Sequence, residues 1–184
     1  MGKTGKLIVI SGPSGAGKGT IVDQLLKSGQ YELSISCTTR APRGQEKEGV
    51  NYFYKSREEF ERMISDQQFL EYADVFGCYY GTPKDYVLGK LNEGKNVILE
   101  IDVQGALQVK KNYPDTMMIF ILPPSEEVLL ARLRGRGTET EEQINKRFGK
   151  AKAEMELADK YDYSVVNDDL MTAVSEVRQM IEKG

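Results

Sequence analysis

Between an apolar run at 7–10 and a helical pattern opening at Lys18 lies Gly12-Pro13-Ser14-Gly15-Ala16-Gly17-Lys18-Gly19-Thr20, which contains G-x-x-x-x-G-K. The run before it is apolar at every position, as in a strand of a parallel sheet buried on both faces. After it, Ile21, Leu25 and Leu26 recur at helical spacing, and Gly29 stops the helix. A glycine-rich turn between strand and helix lets backbone N–H groups point inward at phosphate oxygens, and the helix N-terminus adds its positive dipole. Lys18 then reaches the outer phosphates of a nucleoside triphosphate as a compact point charge. One position departs from the full pattern. Gly19 stands where a Ser or Thr would ligate Mg²⁺, and Thr20 follows one residue late.

The rest of the chain supports an α/β fold. Further apolar runs at 97–99, Met117–Leu122 and Tyr163–Val166 are separated by helical stretches, the βαβ signature of a parallel sheet. Leu170, Ala173, Val174, Val177 and Ile181 share one face of a closing amphipathic helix. Two segments break the rhythm. In 33–95, Leu33 and Ile35 alternate with serines, and Tyr52 and Tyr54 alternate with Asn51 and Phe53, at strand period. There Ser56-Arg57-Glu58-Glu59 reads as a capping box for a short helix carrying Phe60 and Ile64, and a second helix follows Tyr79–Pro83 from Lys84. In 135–160, Thr140-Glu141-Glu142-Gln143 caps a long helix expected to reach Lys160. The expected organisation is one unit: a parallel-sheet core (1–32, 96–134, 161–184), a small α+β insertion (33–95) and a helical lid (135–160).

Composition narrows the chemistry. With no histidine, no Ser-His-Asp or Cys-His pair can exist, nor any imidazole acid/base near neutral pH. Cys37 and Cys78 cannot complete a structural zinc site, and they fit a reducing compartment. A net charge of −3 does not favour nonspecific binding to nucleic acid or to a membrane surface. The opening segment has only four consecutive apolar residues, too few for a signal peptide or membrane span, so a soluble cytoplasmic protein is expected.

Within this acidic chain, most arginines fall into two groups. Arg40 and Arg43, beside Pro42, form a fork suited to a phosphate monoester. Arg132, Arg134, Arg136 and Arg147 flank Gly135 and Gly137, as in a mobile lid that brings cations to a transferring phosphoryl group. Glu100 and Asp102 end the 97–99 run, at the crevice where α/β sheets bind ligands. Phosphoryl transfer requires positioning and charge neutralisation, which these residue types supply.

The motifs GPSGAGKGT, SCTTRAPRxxExxGVNYFY, FLEYADVFGCYYGTP, ILEIDVQGA and RLRGRGTETEEQINKR, in this order, resemble the guanylate kinase family over nearly the whole chain. The resemblance implies a P-loop nucleoside monophosphate kinase: ATP and GMP are converted to ADP and GDP with Mg²⁺. Residue by residue, it implies an ATP loop at Gly12, Pro13, Ser14, Gly15, Ala16, Gly17, Lys18, Gly19 and Thr20. Ser36, Arg40, Arg43, Tyr52 and Tyr80 would contact the GMP phosphate. Glu71, Thr82 and Glu100 would contact guanine, with Asp102 the acidic position nearby. Lys18, Arg40, Arg136 and Arg147 would stabilise the transferred group, and Thr20 or Asp102 is the candidate metal contact, direct or through water. This chain differs from the common pattern in Gly19, often Ser, and Glu100, often Asp. A carboxylate such as Glu71 accepts the adjacent N1–H and N2–H₂ donors of guanine, whereas adenine presents a bare acceptor there. Two other readings stay open: a kinase of another small phosphorylated acceptor on this fold, and a noncatalytic guanylate-kinase-like interaction module.

Overall fold

The computed structural model describes residues 3–135 and 137–184. In chain order these form β1 (Leu7–Ser11), α1 (Lys18–Lys27), β2 (Tyr31–Leu33), β3 (Cys37–Thr38), β4 (Phe53–Tyr54), α2 (Arg57–Ser65), β5 (Phe69–Val75), β6 (Cys78–Pro83) and α3 (Lys84–Asn92). There follow β7 (Asn96–Glu100), α4 (Val103–Asn112), β8 (Met117–Leu122), α5 (Glu126–Arg134), α6 (Glu141–Met155), a 3₁₀ turn (Ala158–Lys160), β9 (Tyr163–Val166) and α7 (Leu170–Lys183).

β1 is buried along its whole length, as its unbroken apolar run requires, and lies at the centre of a five-stranded parallel sheet ordered β2-β7-β1-β8-β9. One face is covered by α1 and α7. Ile21, Val22 and Leu25 meet Ala173, Val174, Val177 and Ile181 there, over Ile8, Ile10 and Ile98. The other face takes α3 and α4 through Val87, Leu91, Val103, Ala106 and Val109. The result is the expected three-layer α/β core. Because β1 sits between β7 and β8, the loop after it opens into the crevice at the C-terminal ends of these strands.

The insertion carries its own four-stranded sheet, ordered β4-β3-β6-β5, with α2 packed on it through Phe60. β5 is the element the sequence reading lacks. It buries three successive residues, Phe69, Leu70 and Glu71, so it shows no period of two to read. It pairs antiparallel with β6 across Phe76-Gly77, both at positive φ (51° and 83°), as a tight hairpin turn demands. Its outer edge is covered by α4: Gln108 exchanges two hydrogen bonds of 3.2 Å with the backbone of Tyr72, and Asn112 donates to Leu70 O at 2.8 Å. At the N-cap of α2, Ser56 accepts the Glu59 N–H, but the Glu59 carboxylate pairs with Lys55, so only half of the expected box forms.

α5 packs against α6 through Leu129, Leu133, Ile144 and Ala151. Thr140 and Gln143 make the full reciprocal capping box. α6 ends at Met155, short of Lys160, because the chain tightens into the 3₁₀ turn that leads Tyr161 beneath the sheet. No helix of the described residues is long and apolar enough to cross a membrane.

Candidate active site

The glycine loop is built to face inward. Ala16 N–H donates to Pro13 O at 3.1 Å and Ile21 N–H to Gly17 O at 3.2 Å, which closes the turn and starts α1. Gly17 has φ +83°, and a Cβ there would lie 2.3 Å from Asn167 Nδ2, so both conformation and space require glycine. Asn167 is 5% exposed and donates from Nδ2 to Ala16 O at 2.8 Å. Arg132 adds Nη1 to Gly15 O at 3.4 Å and Nη2 to Asn167 O at 3.1 Å. These contacts tie the Gly15 and Ala16 carbonyls to Arg132 and Asn167.

That cavity has a volume of about 540 Å³. Lys18 and the loop form its floor, Glu100 and Asp102 rise from the strand ends, and Arg132, Lys150 and Glu154 close the lid side. Glu100 Oε1 stands 3.4 Å from where a Cβ at position 19 would be, an ordinary contact distance, so the carboxylate lies directly beside Gly19. Asp102 caps α4 by accepting from Gly105 N at 2.8 Å. Burial raises the Glu154 carboxyl above its ordinary range, against the pull of Lys150 and Lys18. Arg147 pairs with Glu139 at 2.6 Å through Nη1 and donates from Nη2 to Ser14 Oγ, so α6 touches the glycine loop.

A smaller cavity of about 170 Å³ adjoins on the insertion side and is lined by Ser36, Tyr52, Thr82 and Glu100 among others. Glu100 borders both spaces. Tyr52 and Tyr80 meet edge to face with centroids 6.1 Å apart, and the Arg40 guanidinium lies 5.3 Å from the Tyr52 ring centre. Thr82 Oγ1 donates to Glu71 Oε1 at 2.8 Å in a buried pair. Burial raises the Glu71 carboxyl; the Thr82 hydrogen bond opposes this, and the charge of Asp102 adds to it.

A model of the family described as guanylate kinase matches residues 4–184. The chain belongs to the guanylate kinase family. A guanylate kinase of Caldanaerobacter subterraneus subsp. tengcongensis is 57% identical over 97% of this chain and 87% of its own. That of Clostridium acetobutylicum is 54% identical over 98% and 87%. The crystal structure of guanylate kinase from Anaplasma phagocytophilum superposes with a TM-score of 0.74 at 32% identity, covering 98% of this chain and 86% of that one.

Within this guanylate kinase fold, Lys18, Glu100 and Asp102 share the larger cavity, while Ser36, Tyr52, Thr82 and Glu100 share the smaller. Glu71 stands beside Thr82 but borders a third space, with Gln108 and Asn112. Arg43 is exposed, and Arg136 lies outside the described residues. Sequence reasoning missed Asn167, Lys150 and Glu154 as wall and brace. Only Asn167 carries a signal, a polar residue directly ending the β9 apolar run.

Proposed function

We propose that this guanylate kinase transfers the γ-phosphoryl group of ATP to GMP, or to dGMP, in the cytoplasm, yielding ADP and GDP or dGDP. The observation that carries this reading is the pair of adjoining cavities that share Glu100, one over the glycine loop and one against the insertion. In it, the loop amides and Lys18 hold the ATP phosphates. Ser36, Arg40, Arg43, Tyr52 and Tyr80 hold the acceptor phosphate, and Glu71, Thr82 and Glu100 read guanine beside Asp102. Lys18, Arg40, Arg136 and Arg147 neutralise charge on the group in flight. An ionised phosphate oxygen is already the nucleophile, so no general base is needed, in agreement with a chain lacking histidine.

Mg²⁺ fits the donor set. The hydroxyl of Thr20 and the carboxylates of Glu100 and Asp102 are hard oxygen donors lining one cavity. Among the described residues no group of three or more Asp, Glu, His or Cys forms a dedicated cage, and Mg²⁺ takes few protein ligands, keeping waters and phosphates. Thr20 and Asp102 would hold it, directly or through water, and when bound it supplies charge neutralisation at the phosphates.

Coupled ADP-release assays with GMP, AMP, CMP and UMP test the reading. Turnover with GMP should exceed the others by about a hundredfold or more, because a carboxylate facing adenine leaves buried polar groups unpaired. Comparable turnover with AMP overturns the assignment of guanine.

A further inference from the structure

Arg40 does not stand free in the acceptor site. Glu46 grips it bidentately, Oε2 to Nη1 and Oε1 to Nη2, both at 3.1 Å. The same carboxylate accepts the backbone N–H of Arg43 at 3.0 Å and the hydroxyl of Tyr54 at 3.0 Å. Four donors therefore converge on one side chain. The Arg40 and Glu46 side chains are 12% and 25% exposed, and no other ion pair in the insertion is as sheltered. The second N–H of Nη1 has its own acceptor, Ala41 O at 2.9 Å.

A guanidinium has five N–H groups in a rigid plane. Glu46 takes the Nη1–Nη2 edge and Ala41 the outer N–H of Nη1. What remains is the Nε–H and the second N–H of Nη2, side by side on one edge, the geometry that a phosphate takes bidentately. The hydroxyls of Tyr80 and Tyr52 lie within hydrogen-bonding reach of that guanidinium and would share the phosphate with it. Held this way, Arg40 loses its rotamer freedom when the protein folds rather than when the acceptor binds. The Arg40 hydrogen bonds, the Arg43 amide and the Tyr54 hydroxyl lower the Glu46 carboxyl to about 2, so the clamp stays charged across the working pH range.

We propose that Glu46 is a positioning residue for acceptor recognition: it fixes the plane of Arg40 and the backbone of Arg43 so that both converge on one phosphate dianion. This rests on the reading that Arg40 and Arg43 bind that phosphate. Glu46 touches no substrate in this scheme. A carboxylate there also carries a cost, since its charge opposes the incoming phosphate.

The test compares Glu46→Gln, Arg40→Ala and the double variant, with KM for GMP and for ATP, kcat, and thermal stability measured for each. Glu46→Gln keeps the shape but turns amide N–H groups at the guanidinium. It should raise KM for GMP about tenfold or more, and leave KM for ATP within about twofold. The double variant should lose clearly less than the sum of the two single losses, because Glu46 acts in large part through Arg40, with a remainder through the Arg43 backbone. If Arg40→Ala leaves KM for GMP unchanged, the phosphate reading itself fails. If Arg40→Ala weakens GMP while Glu46→Gln does not, or if the two losses add, Glu46 has no positioning role. Should Glu46→Gln not fold, Glu46→Asp serves. It keeps the charge but is too short to bridge both Nη atoms, so a KM for GMP equal to wild type would overturn the proposal.

Discussion

Glu71 shows what a single residue in this site costs and why it is charged. It is buried beside Thr82, with Asp102 near and no cation among its hydrogen-bond partners. Burial raises its folded pKa above the unfolded value, so the folded state binds this proton more tightly. The favourable contribution is then present at low pH and is lost as pH rises through the raised pKa. Glu71→Gln should consequently be more stable than wild type at pH 7, by a margin that grows from the ordinary carboxylate range up to the raised folded pKa and stays constant above it. It should also raise KM for GMP about tenfold or more while sparing ATP. Thermal melts against pH with paired kinetics check this; a stability difference that ignores pH would remove Glu71 as its source. Glu71 was legible only through its place among ordered motifs. Alone it reads as a surface glutamate, because burial is a property of the tertiary structure and not of the residue.

The glycine loop as an element depends on a partner far along the chain. Asn167, in the turn between β9 and α7, ties back Ala16 O. Asn167→Ala would leave that buried carbonyl unpaired, at about 1–3 kcal/mol. Melting should fall by roughly 2–4 °C per kcal/mol for a chain of this size. Affinity for ATP and for bare tripolyphosphate should drop together, by about tenfold, measured by calorimetry. A loss confined to ATP would mean that Asn167 contacts the base instead of bracing the loop. Elements with strong local signals were readable: β1, α1, the Thr140 cap and the buried face of α7 all follow from runs, periodicity and capping residues. β5 was not, since its edge is completed by Gln108 and Asn112 of α4 and its buried residues do not alternate.

At the scale of the molecule, Arg40 and Arg147 sit on the insertion and on α6, on either side of the strand ends. Arg147 of the lid already touches Ser14. Arg40 is carried by the insertion sheet, whose joint to the core includes the contacts of α4 with β5. Phosphoryl transfer in water would lose the group to hydrolysis, so both bodies should close when both substrates bind. Solution scattering should show the radius of gyration falling from about 16 Å when GMP and a nonhydrolysable ATP analogue are added together. An unchanged radius would count against closure.

What the sequence determined by itself was local and ordered: a strand, a phosphate loop and a helix in succession, a chain without histidine suited to cation-driven chemistry, and motifs whose order identifies the family. Those features are written in near neighbours, where backbone geometry, capping and side-chain periodicity act over a few residues. Only the tertiary structure decided that Asn167 braces Ala16, that Glu100 borders both cavities, and that Glu46 claims one edge of Arg40. Such contacts depend on which edges and faces meet after packing, and a hydrogen bond is decided by angles and tenths of an ångström that no spacing along the chain specifies.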